Sequence, residues 1–129
     1  MINHVFLIAF GGALGAIFRY LISRFIDNFS NNLFSFGTLS VNFIGSLLVG
    51  FLIGFLGRDI LSESVNNFAL IGFLGAFTTF SAFTMQSVIL WQENEFRLFF
   101  TNILANNILG IVAVFIGLFL FKIFTKNLS

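Results

Sequence analysis

The charged residues of this chain are confined to short segments, and long uncharged stretches separate them. Four uncharged runs cover residues 1–18, 28–57, 64–92 and 98–121. They are 18, 30, 29 and 24 residues long. A helix needs about 20 mostly apolar residues to cross the hydrocarbon core of a bilayer. The pattern therefore predicts an all-α membrane protein with four transmembrane helices and its charges in the connecting loops.

The predicted helices form one transmembrane domain that takes up residues 1–129. Polar residues at the ends of the uncharged runs place the four spans approximately at Asn3–Phe25, Gly37–Leu56, Phe68–Gln92 and Leu98–Phe124. Polar loops are expected at 27–32, 57–67 and 93–95. The first residues, Met1–His4, lack the basic region and the small-residue cleavage site of a signal peptide, so the first helix is expected to be retained.

Composition agrees with the membrane prediction and leaves no basis for an enzyme. Hydrophobic residues make up 58% of the chain and charged residues 9%, against about 25% charged residues in soluble domains. The absence of Cys excludes disulfides and Cys-based metal sites. Because His4 is the only histidine, a histidine cluster or a Ser-His-Asp hydrolase site has no support.

The basic residues are balanced between the two predicted sides of the membrane. Three lie on the side of both termini and three on the opposite side, namely Arg58, Lys122 and Lys126 against Arg19, Arg24 and Arg97. The positive-inside rule then favours neither orientation. Four packed helices leave no room for a lumen, so a transport path suggests an oligomer. The pattern predicts an antiparallel, dual-topology homodimer.

No Asp, Glu, Lys or His lies deep in any predicted span. Proton-coupled transporters usually place a carboxylate there, and the four-helix multidrug exporters depend on a Glu in their first helix. In the first span of this chain the nearest charged residue is Arg19. The sequence therefore favours a passive pathway, while a small-molecule exporter and a non-transporting assembly subunit are the alternatives.

Polar residues in the second span follow one stripe of the helix. Thr38, Asn42 and Ser46 are spaced four residues apart and so lie on the same face. Ser and Thr are compatible with ordinary helix packing. An Asn amide in hydrocarbon costs free energy unless both of its ends are paired. Asn42 is therefore open to a packing role or a functional one.

The third span contains the strongest local signal, the segment Gly72–Phe83 with the sequence GFLGAFTTFSAF. Gly, Thr and Ser in the middle of a span weaken the helix, so we expect it to be broken near its middle with free backbone carbonyls. Such carbonyls suit a hard cation such as Na⁺. Phe80 and Phe83 lie on one face, and the electropositive edges of their rings can contact an anion.

These motifs resemble those of the Fluc (CrcB-type) fluoride channel family. The matching segments are Gly11–Tyr20 in the first span, Gly37–Gly45 in the second and Gly72–Phe83 in the third. The resemblance implies an antiparallel homodimer with two separate fluoride pores and a structural Na⁺ at its centre. It also implies passive efflux of fluoride from a bacterial cytoplasm through the inner membrane.

The resemblance further implies roles for single residues. Asn42, Phe80, Phe83 and Ser81 are expected to line the fluoride path, and Thr38 is a further candidate on the stripe of the second span. A narrow, aromatic-lined path would exclude the larger chloride ion, and donors of modest strength would let fluoride leave again.

Three other assignments concern the cation, the vestibule and the fourth span. Gly75 and Thr78 are expected to offer backbone carbonyls to Na⁺. Arg19 would raise the local anion concentration near the vestibule, unless it only extends to lipid headgroups. In the fourth span we favour Asn107 as the residue that reaches the pore, with Asn106 as the alternative.

Overall fold

The computed structural model of the chain describes residues 2–30, 33–56 and 61–126. Within these ranges the regular elements are all helical. We name them α1 (Ile2–Asp27), α2 (Phe36–Leu56), α3 (Glu63–Asn66), π1 (Asn67–Leu74), α4 (Gly75–Phe77), α5 (Phe80–Gln92) and α6 (Phe96–Lys126). Together they supply four helical segments that are long and apolar enough to cross a membrane. The prediction of an all-α protein with four spans is confirmed.

The third span begins earlier than the sequence suggested. It starts at Glu63, whereas the predicted loop extended to residue 67. Ser62 caps α3 by accepting a hydrogen bond from the backbone N–H of Val65 at 3.4 Å. Asn67 is buried, and its Nδ2 donates to His4 Nδ1 at 2.6 Å. Helix capping and this contact with α1 therefore offset the polar character that indicated a loop. Arg58 and Asp59 of that loop lie outside the described residues.

The third span consists of several helical segments. Asn67–Leu74 is a π-helix, and a three-residue α-helical turn, Gly75–Phe77, follows it. Thr78 and Thr79 then have extended backbone angles, with ψ of 156° and 121°. Thr79 caps α5, because its Oγ1 accepts a hydrogen bond from the backbone N–H of Ala82 at 3.1 Å. The backbone therefore leaves the helical conformation for two residues between α4 and α5.

Close backbone contacts hold the spans together. α1 packs along π1, and α2 packs along α6. A Cβ atom at Gly15 would overlap the carbonyl of Phe73, and one at Gly50 would overlap the carbonyl of Val114. Glycine lets two backbones approach to a distance that no other residue permits. The contact at Gly15 fixes the third span against α1, and the contact at Gly50 fixes α2 against α6.

The small apolar core lies beside the extended residues. Val41, Leu74 and Phe77 form a buried cluster. Val41 precedes Asn42 on α2, and Phe77 precedes Thr78. The core therefore holds α2 against the point where the third span leaves the helical conformation, and it positions the polar residues described next.

Candidate functional site

A cavity of about 270 Å³ lies between α2, the start of α5 and α6. It combines amides, hydroxyls and aromatic rings, and in the part of the chain that the structure describes no charged residue lines it. The residues that line it are Asn42, Ser46, Val49, Thr78, Thr79, Phe80, Phe83, Asn106, Asn107 and Val114. The cavity therefore brings together most of the residues that the sequence analysis selected on three different spans.

The side-chain amide of Asn42 bonds both backbone polar groups of Thr79. Thr79 N–H donates to Asn42 Oδ1 at 2.8 Å, and Asn42 Nδ2 donates to the Thr79 carbonyl oxygen at 3.1 Å. Asn42 Nδ2 also donates to Asn106 Oδ1 at 2.9 Å. Backbone groups at a helix terminus lack helical partners. Asn42 supplies these partners to Thr79 from the neighbouring span.

The hydrogen bonds continue from Asn106 into the interior of the protein. Asn106 Nδ2 donates to Asn102 Oδ1 at 2.9 Å and to the Asn102 carbonyl oxygen at 3.1 Å. Asn102 Nδ2 donates in turn to Ser87 Oγ at 2.9 Å. Among the described residues, no buried side-chain nitrogen or oxygen lacks a hydrogen-bond partner. The cost of placing amides among apolar residues is therefore offset by pairing.

Phe80 and Phe83 form a ring pair at the start of α5. Their centroids are 5.5 Å apart, and their planes are inclined by 60°. Phe80 is 76% exposed at the surface of the chain, whereas Phe83 is 8% exposed. Both line the cavity, and in a tilted pair the rings can turn an electropositive edge toward a small anion.

Two hydroxyl groups stand next to the rings. Thr79 Oγ1 and Ser81 Oγ are 3.2 Å apart, and either can donate to the other. Ser81 is exposed and lies beside the cavity rather than among its lining residues. The sequence analysis did not select Thr79 as a site residue. The signal that could have identified it was its position directly after Thr78 in the Gly-rich segment.

Asn106 and Asn107 both reach the cavity, but they differ in their partners. Asn106 exchanges hydrogen bonds with Asn42 and Asn102. Asn107 is exposed, and its Nδ2 donates to the carbonyl oxygen of Ile103 in its own helix at 2.7 Å. The choice of Asn107 over Asn106 as the pore residue stays a prediction, as do the other pore assignments.

Thr38 and Arg19 lie apart from the cavity. Thr38 is buried near the start of α2, where its Oγ1 and Ser35 Oγ form a hydrogen bond at 3.0 Å. Ser35 Oγ also donates to Asp27 Oδ2 at 3.1 Å, which ties this end of α2 to the end of α1. Arg19 is half-buried on α1. Neither residue lines the cavity. The expected roles of Thr38 along the fluoride path and of Arg19 at the vestibule stay predictions.

The backbone around Gly75 and Thr78 has one feature that bears on cation binding. In a continuous α-helix the N–H of Thr79 would donate to the carbonyl of Gly75. Here that N–H donates to Asn42 instead. In the part of the chain that the structure describes, no three His, Asp or Glu side chains gather in one place. A cation at this position would therefore depend on backbone oxygens, and its assignment stays a prediction.

Known proteins resemble this chain over most of its length. A family model described as "CrcB-like protein, Camphor Resistance (CrcB)" matches residues 6–118. A fluoride-specific ion channel FluC of Campylobacter jejuni is 39% identical over 122 residues, which cover 95% of this chain and 100% of that protein. The FluC of Parabacteroides distasonis is 40% identical, with 92% of each chain covered. The FluC of Legionella pneumophila is 45% identical, with 85% of this chain and 83% of the relative covered.

Proposed function

This chain belongs to the CrcB-like family, and we therefore propose that it is a fluoride-selective channel that lets fluoride leave a bacterial cytoplasm passively. Its four apolar spans make it a multi-pass membrane protein, which we assign to the inner membrane. The observation that carries the proposal is the uncharged cavity, which the Asn42 amide and the rings of Phe80 and Phe83 line together.

The chemistry of the cavity suits fluoride. Fluoride is small and holds its water tightly, so a path through the protein must replace that water with hydrogen-bond donors. The hydroxyl pair of Thr79 and Ser81 and the ring edges offer donors of modest strength. The Asn42 amide would join them by giving up one of its two N–H contacts, to the Thr79 carbonyl oxygen or to Asn106 Oδ1. A buried Lys or Arg would hold the anion too firmly, because conduction requires binding that is weak enough to allow release. None of the described residues that line the cavity is charged.

A second, inverted copy would complete the path. The cavity of one chain is a groove that opens at the protein surface, and the ring of Phe80 at its edge is 76% exposed. A pore must be closed on all sides, so the missing wall has to come from another surface. The balanced basic residues support an antiparallel homodimer, in which two grooves would give two pores.

A structural Na⁺ would lie where the two chains meet. The carbonyl of Gly75 has lost its helical donor to Asn42, and Gly75 itself is exposed on the surface of the chain. Gly75 and Thr78 of each copy would together offer four backbone oxygens. Hard cations prefer oxygen ligands, and carbonyl groups suit a monovalent ion. In this arrangement the Na⁺ stabilises the dimer and is not transported.

Flux measurements in liposomes test the function. Purified protein in vesicles loaded with fluoride should release it rapidly when no proton gradient is present. Vesicles loaded with chloride should retain their anion. Equal release of the two anions would contradict selectivity. Fluoride release that requires proton counterflow would contradict a channel and favour the small-molecule exporter class.

A further inference from the structure

Asn102 lies on α6 outside the cavity, yet its side chain takes part in hydrogen bonds in two directions. It is 1% exposed. Its Nδ2 donates to Ser87 Oγ at 2.9 Å and to the Phe83 carbonyl oxygen at 3.3 Å. Its Oδ1 accepts from Asn106 Nδ2 at 2.9 Å. A buried polar side chain with this many partners restricts the orientation of each of them.

We call Asn42, Asn106 and Asn102 the amide chain, because each donates to the next. Backbone groups at its two ends fix its direction. Thr79 N–H can only donate, so Asn42 must turn Oδ1 toward it and Nδ2 toward Asn106. The Phe83 carbonyl can only accept, so Asn102 must turn Nδ2 toward it and Oδ1 toward Asn106.

The direction of the amide chain determines the orientation of Asn106. Its Oδ1 has to face Asn42, and its Nδ2 has to face Asn102. If the Asn106 amide turned over, two NH₂ groups would face each other on one side and two oxygens on the other. Asn102 is the only one of the three amides that does not line the cavity. It therefore acts on the cavity through Asn106.

We propose that Asn102 is a positioning residue of the fluoride path. It does not contact the ion, but it holds Asn106 so that the oxygen of Asn106 receives an N–H of Asn42. This contact keeps the Asn42 amide aligned with Thr79 at the edge of the cavity. The inference rests on the proposed function, since it assigns Asn102 to the same pathway. Ser87 and the Phe83 carbonyl are the fixed points against which Asn102 is held.

Two substitutions separate hydrogen bonding from packing. Asn102→Thr retains a hydroxyl that can accept from Asn106 and donate toward Ser87. The valine of Asn102→Val has nearly the same shape as this threonine, but its side chain has no polar group. The difference between these variants therefore reports the hydrogen bonds alone. Thr101→Val is the matched control, because Thr101 is an exposed neighbour on α6 whose hydroxyl donates only to the Arg97 carbonyl oxygen at 2.8 Å.

Fluoride flux per assembled dimer is the first measurement. We expect Asn102→Val to conduct roughly tenfold less than Asn102→Thr, which is the size of effect that one buried hydrogen bond can have. Thr101→Val should conduct like the parent protein. In an Asn106→Leu background, Asn102→Val should cause no further loss, because its effect passes through Asn106. Equal flux in the Thr and Val variants, or losses that add in the double variant, would overturn the proposal.

The second measurement does not depend on transport. With ¹⁵N-labelled asparagine, the NH₂ signal of Asn42 can be assigned by its loss in Asn42→Ser. We expect this signal to move in Asn102→Val and to stay in place in Thr101→Val. A signal that stays in place in Asn102→Val refutes the positioning role whether or not the protein conducts. If the parent protein releases no fluoride but the Asn42 signal moves in Asn102→Val, the channel function is rejected. The positioning of Asn42 through the amide chain is then still supported.

Discussion

Phe80 and Phe83 are one helical turn apart but occupy different surroundings. The ring of Phe83 is packed inside the chain, whereas that of Phe80 is exposed beside the cavity. Only Phe83 is held on several sides by its own chain. A neighbouring surface would have to fix the ring of Phe80, so the two rings would depend on different parts of the proposed dimer.

Replacing either ring by an aliphatic side chain should reduce conduction. Phe80→Ile and Phe83→Ile keep apolar bulk but remove the electropositive ring edge, so we expect fluoride flux to fall by about tenfold or more. The flux is measured in liposomes and normalised to the amount of assembled dimer. Phe6→Ile is the control, because Phe6 is exposed on α1 and does not line the cavity. Flux at the parent level in both ring variants would show that the rings only pack.

The sequence identified some residues of the cavity and not others, for a physical reason. Asn42 was selected because an amide in an apolar span needs partners, and Phe80 and Phe83 because of their spacing and the resemblance. The partners of Asn42 are 37 and 64 residues away along the chain. Which of Asn106 and Asn107 bonds Asn42 depends on the rotation of α6 against α2. That rotation is set by packing and cannot be read from the spacing of residues in one helix.

At the scale of elements, the lengths of the uncharged runs predicted the number of spans because a bilayer has a fixed thickness. The runs could not give the start of the third span. Glu63 was assigned to a loop because of its charge, but a cap at Ser62 and the contact between His4 and Asn67 extend the helix to it. The residue at which a span begins or ends therefore depends on local hydrogen bonds of this kind as well as on hydropathy.

The contact between α1 and π1 should depend strongly on one glycine. Gly15→Ala places a methyl group on the Phe73 carbonyl, and overpacking of this kind costs about 1–3 kcal/mol. Gly12 is three residues earlier in the same helix, and a Cβ there would have its nearest neighbour at 3.9 Å. Gly12→Ala should therefore be neutral or stabilising, because Ala favours a helix over Gly by up to about 1 kcal/mol. Thermal unfolding in detergent compares the two variants, and equal melting temperatures would contradict the close contact.

At the scale of the whole molecule, the surface of one chain is largely apolar and its cavity is open to the outside. The proposed antiparallel dimer requires the chain to insert in both orientations. Reporters fused to the terminus should therefore detect both orientations in one membrane. A single orientation of the parent protein would contradict this assembly.

Added positive charge should select one orientation. Glu93→Lys with Glu95→Lys adds basic residues to the exposed turn between α5 and α6, which the positive-inside rule then keeps in the cytoplasm. We expect this variant alone to insert in one direction and to lose fluoride flux. Co-expression with Arg24→Gln/Arg97→Gln, which is biased the opposite way, should restore flux. Flux from the first variant by itself would argue against an antiparallel arrangement.

The proposed structural Na⁺ gives a further test of the proposed dimer. Exchange of Na⁺ for a bulky organic cation on both sides of the vesicles should slow or abolish fluoride flux, although no Na⁺ gradient is used. The expected reason is that four carbonyl oxygens without a cation repel one another where the chains meet. Full activity after exhaustive exchange would refute a role for Na⁺.

The long sequence separation between Asn42 and its partners has a consequence for biosynthesis. α2 leaves the ribosome before Thr79 and Asn106, which follow 37 and 64 residues later. At about 5–20 residues per second, the Asn42 amide must wait roughly 2–13 seconds for these groups to be made. An unpaired amide is unfavourable in lipid, so the nascent chain needs a temporary partner for α2 during that interval, such as the insertion machinery or water at its edge. The pairing of Asn42 is therefore complete only once α6 has been synthesised as far as Asn106.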